Sequence, residues 1–249
     1  MDYGLCNLSI VPLRAEASDT SELVSQILYG EFFIVIKKTQ KWSFIRLSHD
    51  NYEGWIDNKQ YESISETVYF ELTEKKQRFS SDLVDFVIGS NEELIPITSG
   101  STVSSCSYLD HRFEGQIYNA ENSKSKIIHT ALNFLNAPYL WGGKSPFGID
   151  CSGFTQLIYR MHGFPLLRDA TQQATQGESL SFIEESEAGD LAFFDNEDGR
   201  IIHVGILMAD NYIIHAHGKV RIDRIDHSGI FNRELNKHTH KLRVIKRIL

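Results

Sequence analysis

Cys151, His203 and His215 are the residues of this chain whose types could together run nucleophilic chemistry. Cys151 opens "CSGFTQLIYRM", in which Phe154, Leu157, Ile158 and Met161 recur at i, i+3, i+4 and i+7 and Gly163 follows. The spacing predicts a helix with one buried face that begins at the cysteine. Backbone amides at a helix start have no partner within the helix, and the helix dipole favours an anion there, so a thiolate gains most at that position. A cysteine nucleophile also needs a base. His203 in "IIHVGIL" and His215 in "YIIHAHG" sit inside apolar strand patterns, where a polar side chain must be paired to be tolerated. If the two strands are neighbours, His203 faces the sulfur and His215 orients it, in the order nucleophile, base, orienter. Taken singly, a buried cysteine is usually inert and a strand histidine is usually a satisfied core residue. His215 and His217 share a strand face and could ligate a metal, but no cysteine or acidic pair stands near them at zinc spacing. No metal or other cofactor is expected.

Two kinds of element must position these groups. From residue 8 to about 117 the chain reads as short strands: "LVSQIL", "FFIVI", "WSFIRL" and "YEGWID", then "ETVYFEL", "VDFVIG", "ELIPIT" and "FEGQIY". The matching hexapeptides at 52–57 and 113–118 suggest two copies of one small barrel, with a single larger β-sandwich as the alternative. The texture changes near Asn119. "ENSKSKIIHTALNFLNAPY" carries apolar residues at helical spacing and stops at Pro138, and after the cysteine helix "GDLAFFD", "IIHVGILM", "NYIIHAH" and "KVRIDRI" read as successive antiparallel strands. Helices followed by strands predict an α+β domain.

Composition restricts the functions available. The 249 residues carry 25 Lys and Arg against 33 Asp and Glu, a formal charge of -8, which argues against non-specific nucleic-acid binding. The densest apolar run, "FFIVI" at 32–36, is too short to cross a bilayer, so no membrane partner is expected. Three cysteines at irregular spacing do not make a disulfide framework and fit a reducing compartment; a cytoplasmic location is the expectation.

Four segments in order, "PYLWGGKSPFGIDCSGFTQLIYR", "AGDLAFFD", "HVGILM" and "YIIHAHG", resemble the NlpC/P60 family of cysteine peptidases, whose hallmark is the D-C-S-G-F box. The resemblance covers residues 120–249. The upstream half resembles the bacterial SH3-like domains that often precede such catalytic domains. The fold class this implies is α+β: a papain-like NlpC/P60 domain over 120–249, preceded by SH3-like β-barrels at 1–63 and, in degenerate form, at 64–119. The resemblance further implies Cys151 as nucleophile, His203 as base, His215 as orienter and Tyr139 as an oxyanion donor. The substrate it implies is a peptidoglycan stem peptide, cut between γ-linked D-glutamate and a diamino acid. "LLRDATQQ" resembles the subgroup that takes stem peptides with a free N-terminal L-Ala, which would pair Asp169 with the substrate ammonium beside Arg168. Asp150 and Ser152 would line the D-glutamate site, Trp141 would wall the pocket, and Glu31 and Tyr61 of the first barrel would close one end. A non-catalytic peptide-binding module, a thiol acyltransferase or amidase, and an extracellular wall hydrolase are the competing readings.

Overall fold

The computed structural model describes residues 2–121 and 124–248, so the outermost residues of the expected domains, 1 and 249, lie outside the described residues. Its contacts divide the chain into two units, Met1–Glu121 with Trp141–Pro146, and Asn122–Leu140 with Phe147–Leu249.

The first unit begins with seven strands: β1 (Asp2–Leu5), β2 (Ile10–Arg14), β3 (Leu23–Leu28), β4 (Phe32–Lys38), β5 (Trp42–Leu47), β6 (Glu53–Asp57) and β7 (Glu62–Ile64). They form one sheet in the order β3-β2-β6-β5-β4-β1-β7. Alternation dictates its core: Val11, Leu13, Ile27, Phe33, Val35, Ile45, Leu47 and Ile56 point to one side and pack as one cluster. Next come helix α1 (Glu66–Glu74), strands β8 (Arg78–Ser80), β9 (Val84–Ile88) and β10 (Leu94–Thr98), a 3-10 turn at Val103–Tyr108, and β11 (Ile117–Asn119). In this stretch, expected as the second barrel, β9 pairs with β10 and β8 with β11 in two-stranded ladders.

One element differs in type from expectation. "ETVYFEL" reads as a strand by its alternating Val68, Phe70 and Leu72, yet it lies in α1. Ser65 caps the helix by accepting a hydrogen bond from the Val68 amide, and Tyr69 and Leu72, three residues apart, are the pair that is buried. They pack on Tyr3, Leu5 and Phe32, which leaves Phe70 half exposed. A short apolar run satisfies either period, and here the cap and the neighbouring core decided.

The second unit places α2 (Ile127–Asn133) ahead of the loop that holds the two-residue strands β12 (Lys144–Ser145), itself part of the first unit, and β13 (Gly148–Ile149). Helices α3 (Cys151–Met161) and α4 (Ala170–Gln173) follow, then strands β14 (Glu178–Leu180), β15 (Leu191–Asp195), β16 (Ile201–Met208), β17 (Tyr212–His217), β18 (Lys219–Asp226), β19 (Gly229–Asn232) and β20 (Lys237–Arg247). The sheet order β14-β20-β15-β16-β17-β18-β19 is closed by a further β19–β20 pairing, so six strands form a ring. Ala192, Phe194, Leu207, Ile213, Ile225, Ile230 and Ile245 form a core cluster. Because side chains alternate, His203 shares the strand face of Leu207, His215 that of Ile213 and Asp223 that of Ile225. The same face is therefore apolar along one part of the strands and polar along the other. Helix α3 packs against β16 and β17.

Candidate active site

The α3 start is built as its sequence requires. Asp150 is the N-cap, in extended conformation, and its carboxylate accepts from the Gly153 amide at 2.6 Å. The cap leaves Cys151 as the first helical residue, 7% exposed. Its sulfur accepts hydrogen bonds from the backbone of Ser152 and of Val204, and Val204 is the residue after His203 on β16. This contact joins the thiol to the histidine-bearing strand.

At rest the sulfur is protonated, contrary to the expectation from the helix start alone. Burial pushes the Cys151 thiol up to about 12 and the Asp150 carboxylate adds to it, outweighing the two backbone hydrogen bonds and the Arg168 charge that pull the other way. A thiolate here would have to be made by proton transfer to a base.

The histidines stand in sequence behind β16. His203 Nε2 lies 2.8 Å from His215 Nδ1, and His215 Nε2 lies 3.0 Å from Asp223 Oδ2. Arg221 grips both oxygens of that carboxylate, with Nε donating to Oδ2 at 2.6 Å and Nη2 donating to Oδ1 at 3.0 Å. Burial, reinforced by His215, His240 and His217, keeps His203 well below the ordinary histidine range. His215 is lowered as well, by burial first, against the opposing pull of Asp223. Both rings are therefore neutral near pH 7 and able to accept a proton.

Asp223 and His240 are members of this cluster that sequence reading missed. His240, on β20, lies over His203 with ring centroids 4.4 Å apart. Asp223 had a faint signal: in "KVRIDRID" it alternates with Ile225 and so falls on the interior face, where an aspartate needs a partner. His240 had none, because β20 reaches β15 only by closing the ring.

Gly205, between these elements, has a steric reason to be glycine. A Cβ there would lie 2.8 Å from His215 Cβ and 2.7 Å from Ile213 Cδ1. Gly205→Ala is therefore expected to destabilise the protein by about 1–3 kcal/mol through overpacking and to slow turnover by displacing His215. A urea midpoint and a kcat equal to those of the parent would refute this.

Three more expected residues meet at the α3 cap. Arg168, 1% exposed, donates from Nη1 to Asp150 Oδ1 at 3.0 Å and to Ser152 Oγ at 3.0 Å, and from Nη2 to Asp150 Oδ2 at 2.6 Å. Gln173 ties this segment down by donating to the Ser152 and Leu167 carbonyls at 2.9 and 2.8 Å, while accepting from Thr155 Oγ1 at 2.7 Å. Asp169 is the half-buried N-cap of α4. Tyr139 donates its amide to the Gly218 carbonyl at 3.0 Å and bridges to Ile149. Its hydroxyl is raised to about 12, by burial first and then by the charges of Cys151 and Asp150, so it stays protonated and able to donate a hydrogen bond.

Trp141, Glu31 and Tyr61 belong to the first unit. Trp141 is exposed and donates from Nε1 to Glu22 at 2.7 Å. Glu31 is fully buried, accepting from Lys144 Nζ at 3.1 Å and from the Leu28 amide at 3.0 Å. The Tyr61 hydroxyl is 2.9 Å from Ser43 Oγ. Cys6, Cys106 and Cys151 are all free and buried. What sets Cys151 apart is its place at a capped helix start against a histidine-bearing strand.

Residues 136–240 match the NlpC/P60 family, and residues 13–60 match the bacterial dipeptidyl-peptidase SH3 domain. A gamma-D-glutamyl-L-lysine dipeptidyl-peptidase of Bacillus subtilis is 29% identical over 217 residues, 77% of this chain and 71% of that protein. The Bacillus cereus protein of the same name is 27% identical over 237 residues, 80% of this chain and 68% of its own. Among solved structures, an NlpC/P60 family protein from Bacillus cereus superposes with a TM-score of 0.78 at 19% identity, covering 99% of both chains. The chain carries a bacterial SH3 domain followed by an NlpC/P60 domain, and it is a cysteine-type peptidase.

Proposed function

We propose that this peptidase hydrolyses the bond between γ-linked D-glutamate and a diamino acid in free cell-wall stem peptides that begin with L-Ala, in the cytoplasm, as a step in reusing wall peptides. The observation that carries the reading is the set at the α3 start: a thiol against the His203 strand, flanked by the buried Asp150–Arg168–Ser152 cluster. The relatives named for γ-D-glutamyl-L-lysine bonds support the bond type.

The chemistry follows from the positions of these groups. Cys151 passes its proton to His203 and attacks the γ-carbonyl carbon of D-glutamate. The oxyanion that forms accepts a hydrogen bond from the Tyr139 hydroxyl, which is still protonated at neutral pH. His203 then gives the proton to the departing amine of the diamino acid, leaving a thioester on Cys151. Water, deprotonated by His203, opens the thioester and restores the thiol. Asp150, Ser152 and Arg168 bind the D-glutamate portion.

Asp169 takes the substrate's free ammonium, a contact that an acylated nitrogen cannot make. L-Ala-γ-D-Glu-diaminopimelate is therefore expected to be cleaved with a kcat/KM about 10–100 times that of its N-acetyl form, the worth of one charge-assisted hydrogen bond of about 1.5–3 kcal/mol. Equal rates would withdraw the role of Asp169 and favour an extracellular wall hydrolase. Binding of the free tripeptide without turnover would favour the peptide-binding module.

A further inference from the structure

We propose that Asp223, gripped by Arg221, sets the hydrogen positions along both histidines and thereby selects Nδ1 of His203 as the base that receives the cysteine proton. The inference rests on His203 being the base of the reaction above.

It follows from donor and acceptor counting along one line of contacts. An ionised carboxylate only accepts hydrogen bonds, and a guanidinium only donates them. Arg221 donates to Asp223 through Nε and Nη2, while its Nη1 donates to Glu234 at 3.3 Å, so both Asp223 oxygens are held as acceptors toward everything else they meet. Burial opposes the charge on Asp223, but the hydrogen bonds from His215 and Arg221 prevail and hold its carboxyl near 2. His215 Nε2 faces Oδ2 at 3.0 Å and so must carry the hydrogen.

His215 is a buried neutral imidazole, which has one donor and one acceptor nitrogen. With Nε2 the donor, Nδ1 is the acceptor. The only consistent state of the 2.8 Å contact is then His203 Nε2–H donating to His215 Nδ1. His203 is neutral too, so its lone pair is on Nδ1, the nitrogen turned away from His215. Had residue 223 been a donor, every hydrogen would shift by one place and His203 would present N–H to the thiol, where it could not accept a proton. Asp223 is a positioning residue in this scheme: it acts through two rings and touches no substrate.

The tautomers can be read directly. In long-range 1H–15N spectra of the full-length native protein at pH 7.5, His203 and His215 are both expected as Nε2–H with Nδ1 unprotonated. Asp223→Ala removes the acceptor and leaves the donor-only Arg221 beside His215 Nε2, so His203 is expected to switch to Nδ1–H. Its kcat is expected to fall about 10³–10⁴-fold, the usual cost of a base held in the wrong tautomer, with KM within about threefold of native. A simple loss of packing would lower stability without moving the ring hydrogens. Nδ1–H on His203 in the native protein overturns the proposal, and that measurement does not require the variant to fold. Retention of Nε2–H in Asp223→Ala, whatever its rate, also overturns it. Failure of the peptidase reading is separate: it would show as hydrolysis by Cys151→Ala, with these spectra unaffected.

Discussion

Cys151→Ala is expected to lose hydrolysis of L-Ala-γ-D-Glu-diaminopimelate by about 10⁵–10⁶ in kcat, the scale at which removing a nucleophile disables a cysteine- or serine-type site. The protein should stay folded, because the groups that build the helix start are not the sulfur. Asp150 still caps α3 through the Gly153 amide, Arg168 still closes on Asp150, and alanine is the best helix former available for the first position. The sulfur loses only two weak backbone hydrogen bonds, from Ser152 and Val204. A urea midpoint close to that of the parent, together with undetectable turnover, is the expected pair of results. Turnover at the parental rate would remove the nucleophile and with it the reaction sequence. Because the resting thiol is protonated, alkylation by iodoacetamide should abolish activity but should proceed more slowly at pH 7 than with a thiolate-bearing protein.

Arg168→Met should be the most destabilising single change in the catalytic half. The guanidinium makes three hydrogen bonds to Asp150 and Ser152 and is buried with them. Methionine matches its length but takes the guanidinium away from the buried Asp150 carboxylate, which still accepts from the Gly153 amide and the Ser152 hydroxyl. Breaking a buried pair by removing one partner costs about 3–5 kcal/mol, which for a chain of this length lowers Tm by about 10 °C. The double variant Asp150→Asn/Arg168→Met separates folding from function. The asparagine oxygen can still accept from the Gly153 amide, no charge is left unpaired, and most of the lost stability should return. Turnover should not return, since the pair is assigned to the D-glutamate portion of the substrate. Thermal denaturation of the two variants and kcat/KM on the tripeptide check both halves. A Tm for Arg168→Met within a degree or two of the parent would show that the pair contributes nothing.

The parts of this site that lie close together along the chain are legible in the sequence itself. The Asp150 cap, Cys151 at the first helical position and the buried stripe of α3 occupy one stretch of twelve residues, and the spacing that builds the helix is the spacing that places the thiol. The order of strands from β15 to β18 was likewise visible, because each is an apolar run closed by turn residues. The thiolate expected from the helix start was not realised, because burial is set by what covers the sulfur, and that is decided by packing.

Type and local spacing thus singled out Cys151, His203 and His215 and the catalytic half's α+β character. Tertiary structure alone decided that Asp223 and Arg221 stand behind His215, that His240 lies over His203, and that Arg168 reaches back to Asp150. The physical reason is that cross-strand neighbours are fixed by register and by closure of the ring. A shift of one residue turns every side chain of a strand to the opposite face, and nothing within a single strand specifies which partner residue it will meet. The same holds for "ETVYFEL", whose apolar residues fit two periods and became helical because Ser65 caps the first turn and Tyr69 and Leu72 find Tyr3, Leu5 and Phe32.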